Sequence, residues 1–177
     1  MNRRRCFWYV TAVLALGTSV LAKESLRIVP LVNDNEVLVS FELADAFTND
    51  VRELISSGLR TTFTYDVDLR MVTPVWVDRT IATVVVSASD QYDNLTRRHV
   101  LTRMVDGRVE GTLVTEDESM VRQWLTTFSR LPVCRTSRLD SGRDYYLRIS
   151  ARSRPHGDSL LGWVNAVTGQ AKFTFVP

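Results

Sequence analysis

The chain has 177 residues, with 22 lysines and arginines against 20 aspartates and glutamates and a formal net charge of +2. That near balance excludes nucleic acid as a partner on bulk charge. Cys6 and Cys134 are the only cysteines, so a disulfide-stapled scaffold is excluded too.

Residues 1–22 read as a secretory signal: Arg3, Arg4 and Arg5 precede an apolar, uncharged run from Cys6 to Ala22, and Val20 and Ala22 place small side chains before a cleavage point. The alternative is an uncleaved anchor over residues 6–22, which at 1.5 Å rise covers about 25 Å, slightly short of a hydrocarbon core. Arg3 to Trp8 also loosely fits a twin-arginine export pattern. Either route predicts export to the periplasm or cell envelope. Cleavage removes three arginines, one cysteine and no acid, leaving a charge of about −1 and one thiol. Residues 23–177 then suit a single domain with its own core.

Leu26 to Val32 and Val37 to Leu43 are apolar runs separated by Asn33-Asp34-Asn35-Glu36, which predicts a hairpin. Thr48 is a helix cap for a short helix to Ser57, with Val51, Leu54 and Ile55 on one stripe and Gly58 placed to end it. From Leu59 to Arg70 the chain alternates strictly. Leu59, Thr61, Phe63, Tyr65, Val67 and Leu69 fill one face; Arg60, Thr62, Thr64, Asp66, Asp68 and Arg70 fill the other. That pattern predicts a one-sided strand, its odd face beneath a helix and its even face solvated or paired across strands by opposite charge. Val75 to Ser89 reads as a further strand turned by residues 90–94, and Leu95 to Val105 and Val109 to Thr115 as a hairpin around Asp106-Gly107.

Thr115 and Glu118 suggest a capping box for a second helix, with Met120, Val121, Trp124, Leu125 and Phe128 as its apolar face and Pro132 as its stop. Tyr145 to Arg152 and Lys172 to Val176 close the domain, and Ser159 to Ala166 fits a short helix or a strand. The predicted class is α+β: a curved, mainly antiparallel sheet with two packed helices.

Leu54 with "SGLRTTFTYDVDL", "VDRTIA" around Asp78-Arg79 and the later "VRQWL" resemble a bacterial envelope protein family catalogued as domain of unknown function 4390, over about Leu26 to Arg152. The resemblance implies bacterial origin, export to the envelope and no established activity. Some members are encoded beside membrane sensor kinases, which implies such a kinase as a conceivable partner. No catalytic motif carries over, and the segment after Arg154 matches least.

Reaction chemistry is sparse. His99 and His156 stand far apart outside any metal-ligand spacing, and His99 reads as plain surface. No nucleophile elbow or phosphate-binding glycine loop occurs, so neither metal nor cofactor is expected. Cys134 reads as a small buried hydrophobe beside Arg135. Asp66 and Asp68 on one strand face are the only basis for a carboxylate-dependent hydrolase, and the turn residues Asp90, Asp93 and Asn94 are loop chemistry. Charge distribution is the exception to even mixing. Arg130, Arg135, Arg138, Arg143, Arg148, Arg152 and Arg154 face only Asp140 and Asp144 in that stretch. Arginine forks grip carboxylates and phosphates at two points. The expected function is therefore a non-enzymatic envelope interaction module that docks this segment on an anionic partner, an envelope protein or anionic lipid. The alternative is a module holding an amphiphile in an apolar pocket under the sheet.

Overall fold

The computed structural model describes residues 26–33, 35–74, 77–155 and 167–176. The signal at residues 1–22 and the Ser159 to Ala166 stretch lie outside them.

The first two strands, β1 (Leu26–Val32) and β2 (Glu36–Leu43), form the predicted hairpin. Its turn is set locally, because Asn33 Oδ1 accepts from the N–H groups of Asn35 and Glu36 at 3.2 and 2.8 Å. α1 (Asn49–Ser56) starts where Thr48 Oγ1 accepts from the Val51 N–H, and buries Val51 and Ile55. Gly58, at φ +81°, turns the chain out of it in a left-handed conformation that other residues adopt only with strain.

β3 (Thr61–Met71) follows, with Phe63, Tyr65, Val67 and Leu69 buried and the alternate residues half-exposed. It lies between β4 (Arg79–Asp93) and β8 (Asp144–Pro155), antiparallel to both. β5 (Arg98–Val105) and β6 (Arg108–Thr115) extend the sheet on the β4 side. Their turn has Asp106 and Gly107 at φ 48° and 78°, the double left-handed geometry of a two-residue hairpin. β9 (Val167–Thr174) closes the other edge, giving the order β6-β5-β4-β3-β8-β9.

Several boundaries differ from the pattern-based expectation: β4 starts at Arg79, β5 at Arg98 and β9 at Val167, and two further shifts have local causes. β4 runs on to Asp93, and the turn falls later because the Asp93 carboxylate accepts from the Leu95 N–H and the Thr96 hydroxyl. α2 (Glu118–Thr126) is capped by Asp117, whose carboxylate accepts from Ser119 N–H; Thr115 accepts from Asp117 N–H and lies one turn outside.

Pro132 does not end α2. The helix passes without a loop into β7 (Thr127–Arg135), and Pro132 lies exposed within that strand. β7 pairs with β2 and completes a second, three-stranded sheet, β1-β2-β7, where a single sheet was expected. Phe128 therefore belongs to a strand, and Met120 is exposed. β7 is hard to read because it bulges: Phe128 pairs with Phe41 and Leu131 with Val39, leaving Arg130 at φ 53° with its N–H on the Ser40 hydroxyl.

The small sheet and both helices cover one face of the large sheet. Val37, Val39, Phe41 and Leu43 of β2 join Leu131 and Val133 of β7 in one core with the inward residues of β3, β4 and β8. β1 settles against β9 at Gly169, where a Cβ would stand 3.1 Å from Leu26 Cδ2 and 3.2 Å from Ile28 Cδ1. The other face of the large sheet is open to solvent along β3, as the alternation predicts.

Candidate binding site

The seven arginines are shared among β7, the short turn after it, the following loop and β8. On the open face, Arg148 Nη2 donates to Asp68 Oδ2 at 2.7 Å, and Arg152 pairs with Asp66. Asp68 also accepts from the Thr83 hydroxyl. Both aspartates are thus engaged by cations from β8. Arg138 donates to the Ile81 carbonyl from the short 3-10 turn Thr136–Arg138. Arg154 pairs with Thr62 through its backbone, and its side chain lies outside the described residues. The remaining three, Arg130 and Arg135 on β7 and Arg143 in the loop before β8, are exposed, and among the described residues their guanidiniums form no ion pair, although Arg135 lies opposite Glu36 in the β2–β7 ladder.

His99 is not plain surface. Its ring is 13% exposed and its Nδ1 lies 2.8 Å from Oδ2 of a fully buried Asp90, with Tyr92 stacked at 4.6 Å between centroids. Burial pushes the Asp90 carboxyl above its ordinary range, and the His99 hydrogen bond opposes this. Cys134 is half-buried against the core; burial raises its thiol pKa and Arg138 opposes the shift. A thiol held that way is a weaker nucleophile.

The most elaborated corner is where α2 becomes β7. A helix end leaves carbonyls without intrahelical partners, and here the next residue is already a strand. The Tyr65 hydroxyl donates to the Leu125 carbonyl at 2.7 Å. Arg103 of β5 reaches across to the carbonyls of Trp124 and Thr127 at 2.7 and 2.9 Å. Its guanidinium carbon stands 4.5 Å from the Trp124 ring centroid and 4.2 Å from that of Phe128. Phe128 packs in turn on Phe41 and Tyr65, with centroids 4.8 and 5.2 Å away. Burial lowers the Arg103 pKa, opposed first by Glu110, and burial raises that of Tyr65, opposed by Arg103.

Beside this corner a cleft of about 210 Å³ opens between the edge strands β6 and β7, lined by Arg103, Glu110, Gly111, Trp124, Phe128 and the stretch from Ser129 to Pro132. Gly111 lies on the β6 side, where a Cβ would make ordinary van der Waals contact with Trp124 Cη2 at 3.6 Å. Other clefts lie at the β2–β7 end, with Asn35, Glu36 and Arg135, and at the β5–β6 turn. All three are surface features lined by edge and turn residues. Arg103 and Trp124 were missed as site residues from sequence: Arg103 lies outside the arginine-rich stretch, and Trp124 reads as ordinary helix core. Arg103 shares a strand face with buried Leu101, but apolar residues on both parities of β5 hide that face in the sequence.

Among the described residues, no group of three or more His, Cys, Asp or Glu is arranged to hold a metal ion. No described helix is long and apolar enough to cross a membrane.

These features define an α+β domain of two antiparallel sheets with a cationic, aromatic corner between their edges. The chain belongs to the family described as a domain of unknown function, DUF4390, whose family model matches residues 24–156. No curated protein and no solved structure matches it.

Proposed function

We propose that the protein is an exported, non-enzymatic component of the bacterial cell envelope, an accessory module that docks on an anionic partner. The partner is an envelope protein, with a membrane sensor kinase the candidate implied by family resemblance, or anionic lipid. One observation carries this reading: among the described residues Arg130, Arg135 and Arg143 are exposed and form no ion pair, whereas Arg148 and Arg152 are matched by Asp68 and Asp66. Unpaired guanidiniums keep their donors for a partner's oxygens. Two of the three stand on β7, an edge strand of the small sheet. The engagement of Asp66 and Asp68 supports a binding role over a hydrolytic one.

The test is affinity capture from native envelopes. Arg130→Glu with Arg135→Glu is expected to abolish recovery of the partner, and Arg148→Gln with Arg152→Gln to leave it unchanged. Recovery that survives the reversal, or that responds only to the β8 pair, overturns the reading. Capture should also weaken as salt is raised, because exposed charges are screened over about 10 Å at 0.1 M.

A further inference from the structure

Two side-chain donors at the α2–β7 corner, Arg103 Nε and Trp124 Nε1, are buried without a protein acceptor. Buried N–H groups are normally satisfied, and an orphan costs the fold free energy. Both residues line the cleft between β6 and β7, and Arg130 stands at the same cleft with no ion pair among the described residues. Glu110 is the single acidic residue among the lining residues, so the cleft is net cationic. Arg130 is exposed at the cleft, and the two orphaned N–H groups are buried within residues of its wall.

We infer that this cleft receives a carboxylate side chain carried by an extended, acidic peptide segment that lies on the free edge of β6. The inference rests on the anionic-docking reading and specifies the partner's chemistry. A carboxylate offers two acceptor oxygens, which suits the exposed Arg130 fork at the rim of a net cationic cleft. At about 210 Å³ the cleft falls below the ~300–1,000 Å³ usual for small-molecule pockets and fits one side chain. The peptide backbone has its own docking rail. β6 is the last strand of the large sheet, has no proline, and exposes unpaired ladder groups among the described residues. Such an edge takes an added strand through main-chain hydrogen bonds while pockets read alternate side chains. An anionic lipid shares the charge but has no strand to add.

The experiment follows the side-chain N–H resonances of Arg103 and Trp124 in the full chain by NMR. The chain is titrated separately with a five-residue capped peptide of threonine and valine around a central glutamate, with the same peptide carrying glutamine, and with phosphatidylglycerol vesicles. The glutamate peptide is expected to move both resonances saturably. The glutamine peptide should bind about tenfold more weakly, as should the glutamate peptide on Arg130→Gln or Trp124→Phe protein. Resonances unmoved at millimolar peptide, an equal response to glutamine, or a response to vesicles in place of peptide overturns the assignment. A partner captured through Arg130 and Arg135 while both resonances stay still sinks the cleft and leaves arginine docking standing. Saturable peptide binding without that dependence sinks arginine docking as the capture mechanism and leaves the cleft standing.

Discussion

On the open face of the large sheet, Arg148 and Arg152 pair with Asp68 and Asp66, all four side chains partly exposed. On the covered face, Arg103 has no carboxylate in contact; it is held by two carbonyls and two aromatic rings. The first arrangement cancels charge and leaves little for a partner. The second fixes a cation in place while its charge stays uncancelled by a contacting acid. The position of an arginine relative to helix ends and rings therefore decides its availability more than local arginine density does.

The comparison breaks most sharply at Arg103. Arg103→Ala strands two helix-end carbonyls and removes the ring contacts, and should lower unfolding free energy by about 3–5 kcal/mol in urea denaturation. A loss no larger than that of the β8 arginines would mean that the corner is not a structural centre. Tyr65→Phe comes next. It leaves the Leu125 carbonyl without its buried donor, for an expected loss of about 1–3 kcal/mol, read as a shifted urea midpoint at unchanged slope.

Asp90 sharpens the contrast through pH. Its carboxyl is raised in the fold above the ordinary 3.8, so the folded chain holds that proton more tightly than the unfolded chain does. The stabilisation from this group is complete below about pH 4 and is lost as pH rises through the folded value. Asp90→Asn should therefore gain on the wild type between pH 4 and pH 7; a difference that stays flat over that range contradicts the burial argument. The smallest effect is expected at the open face. Arg148→Gln or Arg152→Gln should each change stability by less than about 1 kcal/mol, and the change should shrink in high salt.

Much of the large sheet was readable from local pattern. β3 alternates because one of its faces meets the core and the other meets water, and Asp106-Gly107 is a turn by backbone preference alone. Thr48 and Gly58 bracket α1 for equally local reasons. β7 was hidden because its bulge at Arg130 breaks the two-residue period, and because Pro132 after an apolar helix face reads as a stop. What makes 127–135 a strand is pairing with β2, about ninety residues earlier, which no short window contains. The candidate site was hidden for a similar reason. Apolar residues occur on both parities of β5, with Val100, Leu101, Met104 and Val105 among them, so nothing local says that Arg103 points inward.

The two strands that frame the cleft differ in how they meet a neighbour. β7 carries a proline, which lacks an N–H, and a kink whose amide is already tied to Ser40. It cannot lend a regular set of rungs to another chain, and runaway stacking from that side is blocked. β6, proline-free, keeps its rungs. A visiting segment thus finds a ladder on one bank and only side chains on the other, which gives it a single way up.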